Sequence, residues 1–236
     1  FCSTDYLGFA RNEDLKNCIL ENLTSSPLSK RRGLGPMIPE SPDIGLLRRG
    51  EGNLTGSSGS RLMRGNYLYT ENLERKIAAF HKAETALIFN SGYDANVGLF
   101  SCIPQRRDII LHDELIHAYS RDGMRLSLAQ KFSFRHNDVS HLEEKLEKFT
   151  GKKIFVAVES VYSMDGDFSP LKEISELCEK FNAHSIVNEA HATGVFGPRG
   201  EGRVVELGLE KKVFAVVHTF GKGLGCHGAA VLGSHL

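Results

Sequence analysis

The chain has 236 residues, of which 41% are hydrophobic and 25% are charged, and its formal net charge at pH 7 is zero. This length suits one large α/β domain or two small ones. The balanced charge gives no electrostatic reason to expect a nucleic-acid partner, and no apolar run of about 18 residues predicts a membrane span. The five cysteines are scattered and odd in number, which favours reduced thiols and a cytoplasmic protein.

The N-terminal part lacks the regular alternation seen later. Asn12–Leu23 carries a helical apolar pattern, whereas Ser25–Gly52 is rich in Pro, Gly and Arg and has no period. A loop of that length is functional or disordered. We therefore expect residues 1–52 to form an N-terminal segment with a long loop, and residues 53–236 to form the main domain. The chain begins without methionine and stops just after a predicted strand, so we expect it to be part of a longer protein.

From Thr70 onward, helix-like and strand-like segments alternate. Thr70 is placed to cap a helix with Leu73, Ile77 and Phe80 on one face. The predicted strands are Ala86–Phe89, Asp108–His112, Lys131–Phe134, Lys153–Val158, His184–Val187 and Val213–Val217, and the helices between them begin after Asn90, near His117, at Val139 and at Leu171. Repeated strand–helix units predict an α/β fold with a mainly parallel sheet and helices on both faces.

In such sheets ligands bind beyond the carboxyl ends of the strands. Polar residues follow five of the predicted strands there. They are Ser91, Gly92 and Tyr93; His112 and His117; Glu159, Ser160 and Ser163; Asn188, Glu189 and His191; and Thr219 and Lys222. Backbone N–H groups at a helix start, with a serine nearby, form a phosphate site. Such regular placement predicts a pocket rather than scattered loop polarity.

Lys222 stands out because it follows an apolar strand and lies among glycines at 221, 223, 225 and 228. A partly desolvated lysine has a lowered pKa and is a candidate imine-forming amine. Gly223-x-Gly-x-x-Gly228 also fits the dinucleotide fingerprint formally, but a strand-like segment follows where that motif requires a helix. A glycine-rich hairpin with a surface lysine is the simpler alternative for this segment alone.

Other motifs admit competing interpretations. Asn188-Glu-Ala-His191 resembles the D-E-A-H box of helicases, but no G-x-x-x-x-G-K-[ST] loop accompanies it. His112, Asp113 and His117 are of metal-ligating types, yet no third histidine or H-E-x-x-H spacing supports them, so we predict no metal site. Each histidine taken alone, His117 and His191 included, is more often a helix cap or a packed side chain than a cofactor contact.

Short segments across nearly the whole chain, in a fixed order, match a known family. They are Asp5-Tyr-Leu-Gly8, Gly59-Ser-Arg-Leu62 with Gly65, Phe89–Asn96, His117-Ala, His136-Asn-Asp138, Glu159–Asp167, Glu189–Gly194 and Thr219–Gly225. On these segments the chain resembles the α-oxoamine synthases, which depend on pyridoxal 5'-phosphate (PLP). The resemblance implies the large domain of PLP-dependent fold type I, the aspartate-aminotransferase-like fold. From the resemblance we expect the small C-terminal domain of that family, with its substrate-carboxylate arginine, to lie outside these 236 residues.

The resemblance assigns catalytic roles to Lys222, His117 and His191. Lys222 would hold PLP as an imine and, once displaced by the amino acid, remove its α-proton. The ring of His117 would stack on the pyridine face. His191 would hydrogen-bond the phenolic oxygen and keep the conjugated system planar.

The same resemblance assigns the rest of the cofactor site. Ser91 and the backbone at Gly92 and Tyr93 would hold the phosphate, and Thr219 would help. Ser163 would line the side of the cofactor that His191 contacts, and Glu159 would also belong to the cofactor site.

Two positions depart from the family pattern. Asn188 stands where the family has an aspartate that keeps the pyridine nitrogen protonated; an amide forms a hydrogen bond but cannot hold that proton. We therefore hypothesise that the chain binds PLP but turns over slowly, or is a diverged form. Thr4 stands where biotin-pathway members carry asparagine near the substrate carboxylate.

The chain is most similar to the biotin-pathway members. They imply condensation of L-alanine with a pimeloyl thioester, brought by coenzyme A or a carrier protein, with loss of CO₂, in a homodimer with shared active sites. Serine palmitoyltransferases, 2-amino-3-ketobutyrate CoA ligases and 5-aminolevulinate synthases share the framework and remain alternatives. Because of Asn188, a catalytically weak PLP-binding subunit is another. No nucleic-acid or membrane partner is expected.

Overall fold

The structure, a computed structural model, describes residues 60–62, 65–66 and 68–234. The predictions for the N-terminal helix, for the Ser25–Gly52 loop and for the boundary at residue 52 lie outside these residues. So do the Asp5-Tyr-Leu-Gly8 segment and Thr4.

The chain divides into two units, of which the larger contains Ile77–Leu236 and the smaller contains the described residues up to Lys76. Within the smaller unit, the guanidinium of Arg61 pairs with the carboxylate of Glu74 through two contacts, one of them 2.8 Å from Nη2 to Oε2. Arg61 belongs to one of the segments that carry the family resemblance, and here it makes a local ion pair.

Helices and strands alternate along the described residues. In chain order they are α1 (Leu68–Phe80), β1 (Thr85–Phe89), α2 (Gly92–Cys102), β2 (Ile109–Asp113), α3 (Ala118–Leu126), β3 (Gln130–Phe134), α4 (Val139–Lys148), β4 (Ile154–Glu159), α5 (Leu171–Lys180), β5 (His184–Asn188), α6 (Arg203–Glu206), β6 (Ala215–Thr219) and β7 (Ala229–Gly233). None of the helices in this described part has the length and apolar character needed to cross a bilayer.

The strands form one sheet in the order β1-β7-β6-β5-β4-β2-β3. The strands from β6 to β3 in that order run parallel, whereas β7 pairs antiparallel with both β6 and β1. The predicted mainly parallel sheet is therefore confirmed, with β7 as the exception. Because β1 and β6 are both antiparallel to β7, they point the same way, and their carboxyl ends lie at the edge where the other parallel strands end.

Two apolar clusters cover the two faces of the sheet, since successive strand residues point to opposite sides. On one face Leu111 and Val156 pack with Leu142 of α4 and Ile174 of α5. On the other face strand residues pack with α2 and α3; this cluster includes Ile110, Ala157, Ile186, Ala95, Leu99 and Met124. Every residue of β4 is buried, as expected for a parallel strand covered on both faces.

Two local predictions differ from the structure. Helix α1 begins at Leu68, so Thr70 lies inside its first turn and is not the cap. Ala78 of this helix is buried while Leu73 is 38% exposed, so the predicted apolar face is shifted towards the Ile77–Ala78 side. Helix α6 was not predicted, because its four residues are too few to show a helical period.

The turn into α6 depends on a buried carboxylate. Glu189 accepts hydrogen bonds from the backbone N–H groups of Arg203, at 2.7 Å, and Val204, at 3.0 Å. Gly202, just before the helix, has a φ of 107°, and a Cβ there would overlap the Glu189 carboxylate. A side chain at position 202 would thus suffer both left-handed backbone strain and a clash.

We expect Gly202→Ala to lower the free energy of unfolding by about 3 kcal/mol, since strain and displacement of a buried carboxylate add. Gly208→Ala is the matched control, because Gly208 has a φ of 68° and open space around it; it carries only the backbone cost, about 1–2 kcal/mol. Urea unfolding measures both. Equal losses would show that the Glu189 contact does not constrain position 202.

Candidate active site

A cavity of about 280 Å³ opens at the carboxyl edge of the parallel strands, within the larger unit. Most of the cofactor residues predicted from the sequence line it, namely Ser91, Gly92, His117, Glu159, Asn188, Thr219 and Lys222. Asn96, Tyr119, Ala190, Gly221, His227 and Gly228 complete the lining. The cavity is close to the lower end of ligand-pocket sizes, which run from about 300 Å³ upward.

Lys222 lies in the turn between β6 and β7. The turn is closed by hydrogen bonds from Gly225 N to Lys222 O, at 2.9 Å, and from Cys226 N to Phe220 O, at 2.8 Å. The Lys222 amine is 2.8 Å from Nε2 of His191. Burial lowers the pKa of Lys222, and the charge of Glu159 opposes that shift. The amine is therefore closer to its neutral, nucleophilic form than a solvated lysine is.

His191 does not line the cavity, but its Nε2 is in contact with the Lys222 amine. Burial, followed by the charges of Lys222 and His117, lowers the pKa of His191 to about 4. Its imidazole is thus neutral near pH 7. A neutral ring can exchange one proton with the neighbouring amine without adding a second positive charge.

His117 caps a helix and also lines the cavity. Its Nδ1 accepts a hydrogen bond from Tyr119 N at the start of α3, at 3.1 Å. The backbone N–H of His117 donates to Oε1 of Glu159 at 2.6 Å. Burial, then the charge of Lys222, lowers the pKa of His117. The bond to Glu159 holds the backbone from which the imidazole projects.

Glu159, at the end of β4, is almost fully buried beneath the cavity. Burial raises its pKa to about 7, against the opposing effects of the His117 hydrogen bond and the Lys222 charge. The negative charge of Glu159 and the positive charge of Lys222 therefore stabilise each other at neutral pH. The carboxylate links the backbone of His117 electrostatically to the amine across the cavity.

The start of α2 forms the other end of the cavity. Ser91 caps the helix, with Oγ accepting from Asp94 N at 3.1 Å. A Cβ at Gly92 would lie 2.6 Å from Cγ2 of Thr219, so only glycine lets β6 approach the helix this closely. Helix N-termini favour anions. Ser91, Gly92 and Thr219 are thus brought together as predicted. The predicted contact of Tyr93 is through its backbone, which lies in the first turn of α2; its ring packs against that of Tyr119 at 5.2 Å.

Asn188 is held by its neighbours in one orientation. Its Oδ1 accepts from Ala190 N at 2.9 Å, which leaves Nδ2 as a donor, 3.4 Å from Oδ1 of Asn96. Asn96 is fixed in turn, because its Oδ1 accepts from Ser120 Oγ and its Nδ2 donates to Gly92 O. The amide at 188 therefore offers N–H groups, not an acceptor, beside the cavity.

Ser163 is not brought to the cavity. It lies exposed in a turn that is closed by hydrogen bonds from Tyr162 N to Asp167 O and from Gly166 N to Tyr162 O. The loop after β4 runs away from the cavity before it returns to α5, and sequence order alone did not indicate this.

The sequence interpretation missed Asn96, Tyr119 and His227. Asn96 had a readable signal, because it lies four residues after Gly92 and therefore on the same helix face. Tyr119 lies two residues after His117, and His227 directly precedes Gly228; neither position follows a strand end. Within the described residues, no group of three or more His, Cys, Asp or Glu side chains is arranged to hold a metal ion.

Comparison with known proteins places this site in a family. The sequence profile of the aminotransferase class I and II family matches residues 41–235. An 8-amino-7-oxononanoate synthase from Emericella nidulans is 53% identical over 225 residues, which cover 89% of this chain and 52% of that protein. An aminoacyl transferase sphA from Byssochlamys spectabilis is 41% identical, over 99% of this chain and 48% of its own length.

A solved structure of serine palmitoyltransferase from S. paucimobilis, with a bound PLP–myriocin aldimine, superposes with a TM-score of 0.80 at 29% identity. The match covers 99% of this chain and 52% of that one.

The chain belongs to the aminotransferase class I and II family. Within that family the predicted resemblance to the α-oxoamine synthases, and to their PLP-dependent fold type I, is confirmed. The chain spans about half the length of the curated relatives it matches.

The lowered pKa of Lys222 predicts how its amine responds to pH. In the cofactor-free protein, competitive acetylation followed by peptide mass analysis should give a titration midpoint for Lys222 below that of an ordinary lysine, about 10.4. Glu159→Gln should lower the midpoint further, because the carboxylate charge stabilises the ammonium. A midpoint at or above the ordinary value would contradict the desolvation of this amine.

Proposed function

We propose that this chain holds PLP on Lys222 and forms the cofactor-binding part of an α-oxoamine synthase. The whole protein joins L-alanine to a pimeloyl thioester with loss of CO₂ and yields 8-amino-7-oxononanoate. The thioester is carried by coenzyme A or a carrier protein, and the enzyme works as a cytoplasmic homodimer. The relatives named 8-amino-7-oxononanoate synthase support this choice of reaction.

One observation carries the proposal. The desolvated Lys222 amine lies 2.8 Å from the neutral His191 ring, in the same cavity as His117 and the N-terminus of α2. An amine kept near its neutral form, beside an imidazole and opposite an anion site, suits a phosphorylated aldehyde.

PLP dependence follows from the family and from its PLP-bound members, and the residues present fit this cofactor. The cradle at Gly92 has no room for a Cβ, the Ser91 cap and the N-terminus of α2 suit a phosphate, and Thr219 adds a hydroxyl. When bound, PLP supplies an electron sink for the charge that develops on the α-carbon of the substrate.

Residues of the chain then provide cofactor attachment, proton transfer and positioning. Lys222 holds the cofactor through Nζ and, when released, takes the α-proton, for which a lowered pKa suits it. His191 stays neutral and holds or returns a proton at Nε2. Glu159 fixes the backbone of His117, and this bond holds the imidazole in place beside the cofactor.

The test uses the full-length protein, L-alanine and pimeloyl thioester, with thiol release as the readout. We expect Lys222→Ala to lower the rate by about 1,000-fold or more, because both cofactor attachment and proton removal use this amine. Borohydride treatment should add cofactor mass to the Lys222 peptide of the wild type but not to the corresponding peptide of Lys222→Ala. Lys180→Ala, which removes an exposed lysine paired with Glu143, is the matched control and should leave both readouts unchanged. A wild type without a borohydride adduct on Lys222 would refute the proposal.

The same assay separates the related reactions. Serine with palmitoyl thioester tests the serine palmitoyltransferase alternative, which the structural neighbours favour. Glycine with acetyl or succinyl thioesters tests the remaining members. Faster thiol release with any of these pairs than with alanine and pimeloyl thioester would replace the proposed substrates while keeping the cofactor.

A specific observation favours a second candidate, a PLP-binding subunit of low activity. The Asn188 amide is locked with its oxygen on Ala190 N, so it donates towards the cavity and holds no charge there. A pyridine nitrogen beside it would accept a hydrogen bond and remain unprotonated, which weakens the electron sink.

We expect Asn188→Asp to raise the rate of thiol release at least about tenfold, since a charge-assisted hydrogen bond is worth about 1–2 kcal/mol more than a neutral one. The steady-state kcat of the full-length protein measures this. Asn182→Asp makes the same chemical change at an exposed position and should have no effect. An unchanged kcat in Asn188→Asp would show that the amide does not limit turnover.

A further inference from the structure

A second polar cluster lies where β2, β3 and β4 end. His136, in the loop after β3, is bridged on both sides. Its Nδ1 is 2.9 Å from Oδ1 of Asp113, and its Nε2 is 2.7 Å from Oδ2 of Asp167. Both ring nitrogens donate at once only in the imidazolium form. Two carboxylates, one of them fully buried at the end of β2, face the two ring nitrogens and favour the imidazolium form.

Asn137 repeats the same bridge beside the imidazole. Its N–H donates to Oδ2 of Asp113 at 3.0 Å, and its Nδ2 donates to Oδ2 of Asp167 at 2.7 Å. The residue has a φ of 53°, which asparagine tolerates better than most side chains do. Two consecutive residues thus connect the end of β2 to the loop after β4.

The cluster is linked to the cavity by a short series of contacts. Tyr162 hydrogen-bonds Asp113 through its side chain, its hydroxyl accepts from Glu159 N at 3.5 Å, and its ring lies edge-on to that of His136 at 4.5 Å. Glu159 in turn accepts the hydrogen bond from His117 N. A displacement of Asp113 or Tyr162 therefore reaches the residue that holds His117 in place.

Asp167 also closes the turn from Tyr162 to Asp167. The turn is held by hydrogen bonds from Tyr162 N to Asp167 O, at 3.0 Å, and from Gly166 N to Tyr162 O, at 2.9 Å. Residues 163 to 166 of the turn are exposed, so its packing gives little support. The bridges through His136 and Asn137 tie it to the end of β2, beside the backbone pairing of Val161 with Phe168.

We propose that His136 is a positioning residue for the cofactor cavity. As an imidazolium it fixes the Tyr162–Asp167 turn to the end of β2, and this clamp keeps Glu159 and His117 in position. This inference rests on the proposed function, because it takes the cavity to be the PLP site. His136 touches neither substrate nor cofactor and acts through Asp113, Tyr162 and Glu159.

The charges around His136 show why the cation is needed. Asp113 and Glu114 face it from the end of β2, Asp167 and Tyr162 from the loop after β4, and Glu159 from the end of β4. Without a positive charge in this group, the carboxylates repel one another. Burial lowers the pKa of His136, but the hydrogen bonds with Asp113 and Asp167 outweigh it and raise the pKa above its ordinary value.

The sign of the pH dependence follows from that raised pKa. The stabilisation is complete below the unfolded-state value of about 6.5 and is lost as the pH rises through the higher folded-state value. Loss of the charge on His136 also removes an interaction that lowers the pKa of Glu159. The clamp is therefore strongest in mildly acidic solution and loosens as the pH rises through the raised folded-state pKa of His136.

The experiment compares the full-length wild type with His136→Gln, which keeps a neutral donor but cannot bridge both carboxylates. Two readouts are taken between pH 6 and 9, namely hydrogen exchange of the peptide covering residues 159–169 and the Kd for added PLP. We expect His136→Gln to accelerate exchange of this peptide and to weaken PLP binding by about tenfold at pH 7. The wild type should approach the variant as the pH rises.

His184→Gln is the matched control, because His184 lies at the opposite end of the sheet, at the start of β5, and should change neither readout. If His136→Gln fails to fold, Asp167→Asn removes one carboxylate of the bridge at the partly exposed turn and should give the same two effects. A folded His136→Gln variant whose hydrogen exchange or PLP affinity equals that of the wild type overturns the proposal. A wild type that takes up no PLP refutes the proposed function instead, and the exchange comparison then still decides whether the clamp exists.

Discussion

The site depends on the partial desolvation of one amine, that of Lys222. Burial lowers its pKa, and burial together with the charge of Lys222 lowers the pKa values of His117 and His191. The three side chains cannot all be protonated, since like charges in a partly buried cavity repel. Glu159 is the balancing carboxylate, and burial places its pKa near neutrality. The group therefore carries little net charge and keeps both imidazoles neutral while the amine stays reactive.

Much of this arrangement could be predicted from the sequence, because sheet topology turns chain order into position. The strand register aligns Asn188 with Glu159 and Thr219 with Ala229, so residues at successive strand ends meet along one edge. The antiparallel β7 does not disturb this, since it begins where β6 ends and places Gly228 beside the same cavity. A strand that entered elsewhere would have separated Lys222 from the rest.

The remainder was not predictable, for physical reasons that differ from case to case. Ser163 follows β4 in sequence, but a turn closed by backbone hydrogen bonds carries it into solvent. The bridge from His136 to Asp113 and Asp167 joins residues 23 and 31 positions apart, and no local pattern encodes a contact between one strand end and two loops. The cap at Thr70 failed because the residues that pack inward, not the first threonine, decide where a helix begins.

Under the proposed function, an asparagine rather than an aspartate at position 188 would affect the amine of Lys222 as well as the cofactor ring. Asn188 and Glu159 are register partners on neighbouring strands, so a carboxylate at 188 would stand beside a second buried carboxylate. Like charges raise each other's pKa, and both would stabilise the ammonium of Lys222. With the amide, the cavity is less negative and the amine is more easily deprotonated. Under the proposed function, the amide at 188 would favour capture of an aldehyde by Lys222 and would weaken the charge that later chemistry needs, which would separate cofactor binding from turnover.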